Sequence, residues 1–177
     1  MLLHTYFNIS LLRADPQDLP PSFGLMALAV LAYVLTDVWT LLDTLSLWVS
    51  VQASVIDTLL LVALTHTALV FRNAANRIRQ TLSALAGCGA LLSLLAWSAV
   101  SLSGHLFSVG DASAAAEFPS MLVAVPFLLW YIVVFGHILR HALSIPFPGG
   151  IALGMLFFIL SVGISGALIT SPVLLDN

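Results

Sequence analysis

Five long apolar runs, each bounded by a short polar break, limit what this chain can fold into more than any other feature. An α-helix needs about 20 mostly apolar residues to cross a bilayer, and each run is close to that length. A helix also satisfies its own backbone hydrogen bonds, as lipid surroundings require. The predicted spans are Phe23–Thr40, Ala53–Phe71, Thr81–Ser103, Met121–Arg140 and Ile151–Thr170.

Composition favours a membrane protein over a soluble one. Only 7% of the 177 residues are charged and 60% are hydrophobic, whereas soluble domains carry about 25% charged residues. A water-facing surface cannot be covered with so few charges, so the lipid bilayer is the main partner of this surface. The basic residues are few and scattered and the net charge is −3, which argues against a nucleic-acid partner. The sequence predicts an all-α, polytopic membrane helix bundle, with residues 22–177 as a single transmembrane domain.

Residues 1–21 form a separate N-terminal segment. A secretory signal peptide carries its positive charge before the apolar region, but here Arg13 follows it. At about 100° per residue, five apolar side chains of the segment fall on one side, which predicts a short helix over residues 2–13 in the membrane interface. Those side chains are Leu2, Leu3, Tyr6, Phe7 and Ile9. The proline-rich stretch ADPQDLPPS then breaks the chain before the first span.

The arginines predict the orientation in the membrane. With five spans and a cytoplasmic N-terminus, every arginine lies at the cytoplasmic side, as the positive-inside rule requires. The C-terminus is then outside, and a bacterial inner membrane is the expected location. The topology-setting arginines are Arg72, Arg77, Arg79 and Arg140, and the acidic residues placed outside are Asp43, Asp111, Glu117 and Asp176.

The histidines raise the question of a cofactor. His66 and His137 are predicted at similar depth on helices of opposite direction, which is an arrangement that two axial ligands of a haem b could use. His137 and His141 are four residues apart and could instead hold a divalent metal from one helix face. The simpler interpretation is favoured: histidine at a helix C-terminus interacts with the helix dipole, and His66 makes an interhelical hydrogen bond. No cofactor or metal is therefore predicted.

Two aspartates in the apolar runs suggest another use. An ionisable side chain within a membrane span is a functional hypothesis by default. Asp37 and Asp57 are both predicted near the outer ends of their spans, where water reaches them, so helix capping or pairing is the alternative to an ion or solute site.

Small residues recur at spacings that let helices approach closely. They serve packing inside the bundle or contact with a partner, and both uses stay open. The residues are Gly87, Gly89, Gly150, Gly154, Ser161 and Ser165. No nucleophile elbow, zinc-protease motif or phosphate-binding glycine loop occurs, so the chain is not expected to be an enzyme.

The layout over roughly residues 75–170 resembles the Yip1-type membrane domain. QTLSALAGCGALLSLLAW is similar to the small-residue third span of that family, and WYIVVFGHILRHALSIPFPGGIALGMLFFILS resembles its final pair of spans with a basic turn between them. The resemblance implies a non-enzymatic membrane organiser with no catalytic residues. The favoured function is thus an accessory or scaffold subunit that binds other membrane proteins or itself. The alternatives are a haem b redox subunit using His66 and His137, or a small ion or solute transporter using Asp37 and Asp57.

Overall fold

The computed structural model describes the backbone of residues 2–107 and 113–175, and the side chains of residues 2–104, 121–163 and 166. Within these ranges the chain forms six α-helices and two short 3₁₀ turns, with no strand. The predicted all-α helix bundle is therefore confirmed. The helices are α1 (Leu2–Ser10), α2 (Phe23–Leu41), α3 (Leu47–Phe71), α4 (Ile78–Phe107), α5 (Ser113–Leu143) and α6 (Phe147–Leu175).

Four of the helices are long and apolar enough to cross a membrane, which makes the chain an integral membrane protein. The spanning stretches are Phe23–Leu41, Leu47–Phe71, Ala75–Gly104 and Met121–Leu143. The described apolar part of α6, Phe147–Gly163, is shorter, although the helix itself continues to Leu175. The fifth predicted span thus lies in α6, and its crossing stays a prediction.

Helices α2 to α6 form a closed ring in the spatial order α2, α4, α5, α6, α3. Helix α4 also contacts α1 and α3, so its residues 81–90 are buried on every side. This stretch, TLSALAGCGA, consists mostly of small residues, which lets neighbouring helices approach α4 closely. Many large apolar side chains elsewhere are exposed, among them Leu28, Leu35, Leu59 and Phe71, as expected where a helix faces lipid.

The helix ends follow from local chemistry. Ser22 caps α2 by accepting a hydrogen bond from the Leu25 amide at 3.4 Å. The two residues before Ser22 are prolines, which disfavour a helix that begins further toward the N-terminus. Asn73 and Ser144 end α3 and α5 with positive φ angles of 53°. Pro146 and Pro148 follow Ser144, and the chain turns there into α6.

Helices α3 to α6 all begin earlier than predicted, α4 and α6 by three and four residues and α3 and α5 by more. Helix α3 begins at Leu47 rather than Ala53, because Ser46 takes the extended N-cap conformation and the polar, tryptophan-containing stretch after it is helical. Helix α5 begins at Ser113 rather than Met121, since SAAAE is rich in good helix formers. Asp111, Asp176 and the side chain of Glu117 lie outside the described residues.

Helix α1 packs onto the ring from the side of α4 and α5. Its predicted apolar side divides in two: Tyr6 and Ile9 are buried, whereas Leu2, Leu3 and Phe7 are exposed. The Tyr6 carbonyl accepts a hydrogen bond from the Cys88 thiol at 3.6 Å, about ten residues into α4. One side of α1 is thus part of the core. Its location in the membrane interface stays a prediction.

The two ends of the bundle carry opposite charge. The arginine end comprises residues 13–19, residues 72–80 around the α3–α4 turn and residues 140–149 around the α5–α6 turn, and it holds all five arginines. The aspartate end lies at the other end of the same helices and includes the α2–α3 loop with Asp43.

Candidate functional site

Asp57 lies much deeper in the bundle than the sequence predicts. Because α3 begins at Leu47, Asp57 is ten residues into a 25-residue helix, about 15 Å along an axis of about 37 Å. The prediction that Asp57 lies near the outer end of its span is therefore wrong. The side chain is only 7% exposed. A carboxylate near the middle of a spanning helix is costly to bury and is retained where it has a function.

Both carboxylate oxygens of Asp57 accept hydrogen bonds from other helices. The Tyr33 hydroxyl on α2 donates to Oδ2 at 2.6 Å, and the Ser161 hydroxyl on α6 donates to Oδ1. The Tyr131 hydroxyl on α5 lies 3.4 Å from that of Tyr33, which connects a fourth helix to the network. Both oxygens of the Asp57 side chain are therefore engaged, and hydroxyl groups on α2 and α6 fix its position.

A cavity of about 540 Å³ opens beside this network and reaches the helix ends at Thr40 and Asp43. Small ligands are commonly bound in pockets of about 300–1,000 Å³. Most of the lining is apolar and aromatic. The aromatic lining residues are Tyr33, Trp97, Phe127, Tyr131, Phe157 and Phe158, and the polar ones include Asp37, Asp43, Asp57, Thr40, Ser93, Ser101 and Ser161.

The cavity is acidic. Asp37, Asp43 and Asp57 all line it, and its described lining contains no arginine or histidine. Asp37 lies four residues before the end of α2, as predicted, and within electrostatic range of Asp57. The Trp97 indole donates to Asp43 Oδ2 at 2.5 Å and packs edge-on against Trp39, with ring centroids 5.8 Å apart. Three carboxylates in an aromatic cavity can attract and hold a cation.

Sequence reasoning identified the two membrane aspartates but not their partners. Tyr33 was missed, although it is four residues before Asp37 and so shares its helix face. Tyr131 carried no recognisable signal. Ser161 was predicted as a small packing residue, whereas the structure uses its hydroxyl as a hydrogen-bond donor.

The haem alternative through His66 and His137 stays a prediction, and the surroundings of the two side chains differ. His66 is exposed on α3, whereas His137 is buried on α5 and faces the segment after α1. The His137 Nε2 atom lies 3.1 Å from the Ala14 carbonyl oxygen. His137 is thus engaged with the N-terminal segment, whereas His66 lies at the exposed surface of another helix.

His137 and His141 do share one face of α5, with ring centroids 4.6 Å apart. The fold adds a third residue to this pair, because Asp15 Oδ1 lies 3.3 Å from His141 Nδ1.

The four topology-setting arginines are all at the arginine end. Arg77 donates to the His141 and Ala142 carbonyls, and Arg72 donates to the Leu143 carbonyl.

The predicted small residues lie mainly at helix contacts inside the bundle. A Cβ atom on Gly87 would overlap the Tyr6 ring, and one on Gly89 would lie 2.8 Å from the Tyr33 ring. A Cβ on Gly150 would overlap the carbonyl oxygen of Gly136, and one on Gly154 would lie 3.2 Å from that of Ile132. Gly136 was not predicted. The Ser165 side chain lies outside the described residues.

The fold and the cavity together define a polytopic α-helical membrane protein with an acidic, aromatic cavity at one end of its bundle. No protein-family model, curated protein or solved structure matches the chain. The resemblance to Yip1-type domains therefore stays a prediction.

Proposed function

We propose that this protein binds a small organic cation in the cavity at the aspartate end and acts as a small-solute transporter. The observation that carries the proposal is Asp57. It is a buried carboxylate in the middle of a spanning helix, held by Tyr33 and Ser161, beside a 540 Å³ cavity whose described lining has no cationic side chain.

A positive ligand is favoured by electrostatics. The carboxylates of Asp37, Asp43 and Asp57 produce a negative potential that low-dielectric walls strengthen. No basic side chain of the described lining offsets that charge, because the arginines are at the other end of the helices. The positive charge that balances these carboxylates must therefore come from a ligand or from bound protons.

An organic cation fits the cavity better than a bare metal ion. Aromatic faces attract alkylammonium groups, at about 0.5–2 kcal/mol for each favourable contact. A hydrated or bare inorganic ion would leave most of the 540 Å³ unfilled and would make little use of Trp97, Tyr131 or Phe157. A protonated amine or a quaternary ammonium would contact both the rings and the carboxylates.

The positive-inside rule orients the cavity. It predicts that the arginine end and the N-terminus are cytoplasmic, and we propose a bacterial inner membrane as the location. The cavity then opens to the outside, and the buried residues 81–90 of α4 lie in the cytoplasmic half of the bundle. A solute taken up from outside would need a second conformation in which this half opens.

The partner-binding function favoured by the sequence stays a prediction. Part of its motivation was the small residues on several helix faces, and Gly87, Gly89 and Gly150 contact other helices of the same chain. The cavity is therefore the firmer basis for a function. Neither function involves covalent chemistry, so the chain is still proposed not to be an enzyme.

The test is cation binding by the purified chain in nanodiscs, followed through tryptophan fluorescence. Tetramethylammonium, tetraethylammonium, sodium and potassium are titrated separately at constant ionic strength. We expect saturable quenching by an alkylammonium ion, because Trp97 lines the cavity. Asp57→Asn should weaken that binding by about 10- to 100-fold, which corresponds to about 1.4–2.8 kcal/mol.

Asp18→Asn is the matched control, since it makes the same change at the arginine end and should leave the affinity unaltered. Equal affinities in Asp57→Asn and the unmodified protein would overturn the proposal. Uptake of the bound cation into proteoliposomes then tests transport, and saturable binding without any uptake would leave a receptor rather than a transporter.

A further inference from the structure

A second cluster of ligating side chains lies at the arginine end, away from the cavity. Asp15, His137 and His141 each offer a carboxylate oxygen or a ring nitrogen, and these atoms lie within 4.8 Å of one another. The Asp15 Oδ1 to His141 Nδ1 distance is 3.3 Å. Two ligands of one tetrahedral zinc ion are about 3.4 Å apart, given metal–ligand bonds of about 2.0–2.1 Å.

The hydrogen bonds around the histidines suit ligation. His137 Nε2 lies 3.1 Å from the Ala14 carbonyl, which can only accept, so Nε2 carries the proton and Nδ1 keeps a free lone pair. Metal-binding histidines usually donate their other ring nitrogen to a carbonyl or carboxylate in this way. His141 Nε2 is buried and has no hydrogen-bond partner among the described residues, so it can carry the proton and leave the lone pair of Nδ1, the atom nearest Asp15, for a metal ion.

Asp15 is held in position by its neighbours along the chain. The Asp18 carboxylate accepts a hydrogen bond from the Asp15 amide at 2.9 Å. The Gln80 side chain on α4 donates to the carbonyls of Gln17 and Leu19, at 3.1 and 2.7 Å. The segment after α1 is thus fixed against α4 and α5 before any ion binds, so little ordering would be needed on binding.

The nearby arginines do not occupy the cluster. Arg77 Nη1 is engaged with the His141 and Ala142 carbonyls and the Ser144 hydroxyl. The Arg140 guanidinium lies over the Phe147 ring, 5.3 Å from its centroid, on the side of α6. The Asp15 carboxylate partly offsets their positive charge, and two neutral imidazoles add no charge of their own.

We propose that Asp15, His137 and His141 form a binding site for a divalent transition-metal ion of the zinc type. The two histidines supply the face of α5, and Asp15 supplies the third ligand from the segment that follows α1. Two nitrogens and one oxygen are a ligand set that zinc accepts, with water as the fourth ligand. The bound ion would tie the N-terminal segment to the end of the fourth span.

The experiment uses the full chain, purified without a polyhistidine tag, stripped with a chelator and titrated with Zn²⁺ by calorimetry. A parallel titration with Co²⁺ reports tetrahedral coordination through its visible absorption. We expect one Zn²⁺ per chain. Asp15→Asn and His141→Gln should each weaken binding by about 100-fold or more, since loss of even an outer-shell partner costs about 10–100-fold.

Two controls distinguish this site from the cavity and from adventitious binding. His66→Gln removes an exposed imidazole from another helix, and Asp57→Asn removes the central carboxylate of the cavity. Both variants should bind Zn²⁺ within about twofold of the unmodified protein. Loss of binding in Asp57→Asn with retention in Asp15→Asn would place the ion in the cavity and overturn the proposal.

A structural readout is independent of affinity. Zn²⁺ should slow amide hydrogen exchange of residues 2–15 in the unmodified protein, because the ion joins Asp15 to α5, and should have no such effect in Asp15→Asn. The Asp15 side chain is 45% exposed, so this variant is expected to fold normally. No saturable binding by the unmodified protein, or undiminished binding in both ligand variants, would overturn the proposal.

Discussion

The two halves of the bundle use their polar and small residues in opposite ways. In the half near the arginine end, glycines bring backbones into contact, and arginines hydrogen-bond the last carbonyls of α5. In the half near the aspartate end, a cavity of about 540 Å³ remains, and its carboxylates have no basic partner among the described lining residues. Charged side chains that hydrogen-bond the ends of helices stabilise the fold, whereas charged side chains around an open cavity can bind a ligand.

The same contrast applies to packing. Gly136 of α5 lies against Ile151 of α6, and a Cβ atom on Gly136 would come within 2.9 Å of the Ile151 Cα. That neighbour is backbone and cannot rotate away. Around the cavity, small residues such as Ser93 and Ala96 of α4 instead face open space. Added volume should therefore be harmful in one half and tolerated in the other.

The largest expected effect is that of Gly136→Val. The added side chain forces α5 and α6 apart. We expect the free energy of unfolding to fall by about 3 kcal/mol, which is at the upper end of the usual cost of overpacking. The measurement is thermal unfolding in detergent, followed by circular dichroism and by the fraction that remains monodisperse. Gly104→Val is the control, because a Cβ there meets nothing within 4 Å. Equal destabilisation by both variants would show that helix contact at Gly136 is not the cause.

Next is Ala96→Leu, which adds three carbons inside the cavity. We expect alkylammonium affinity to fall by about tenfold or more, because the side chain takes ligand space. The midpoint of thermal unfolding should change little, since the space is already empty. Fluorescence titration and thermal unfolding on the same preparation check both expectations. A large loss of stability would contradict the contrast between the two halves.

Arg77→Gln should have a smaller effect and only on stability. It removes the hydrogen bonds to the His141 and Ala142 carbonyls, and we expect a loss of about 1–2 kcal/mol. Arg79→Gln is the matched control, since Arg79 is exposed and a surface change of this kind usually stays within about 0.5 kcal/mol. Alkylammonium affinity should be the same in both variants. A drop in affinity with Arg77→Gln alone would show that the two ends are coupled.

The smallest effect is expected for Trp97→Phe. The aromatic face is kept but weakened, and the hydrogen bond to Asp43 is lost. Alkylammonium affinity should fall by about two- to fivefold, within the range of a single cation–π contact. The affinity is measured by calorimetry, because the variant removes the fluorescent reporter. An affinity that does not change would mean that the ligand does not contact Trp97.

Much of the architecture could be predicted because it depends on patterns local in the chain. Runs of apolar residues of bilayer length indicate helices whatever their neighbours are, and the arginines mark the polar turns. The residues at which the helices begin were harder to predict. The stretch after Ser46 contains tryptophan, serine and glutamine, which are equally typical of an interface, so the sequence predicted a start at Ala53. Because of that error, Asp57 was predicted at the end of the helix, whereas it lies near the middle of α3.

Pairs of side chains from different helices could not be predicted. His66 and His137 were matched by depth alone, but the rotation of each helix about its axis decides what a side chain faces. In the structure His66 points out of the bundle and His137 faces the segment after α1. Asp15 was assigned to a simple break in the chain, although the fold brings it next to His141.

By itself, the sequence determined that this is an all-helical membrane protein with its arginines at one end, because hydrophobicity and charge act on each segment separately. Only the tertiary structure decided that Asp57 meets Tyr33 and Ser161, and that Asp15 meets His141. The physical reason is that these contacts depend on the order of helices around the ring and on the rotation of each one. Both are set by how small and large side chains fit between neighbouring helices.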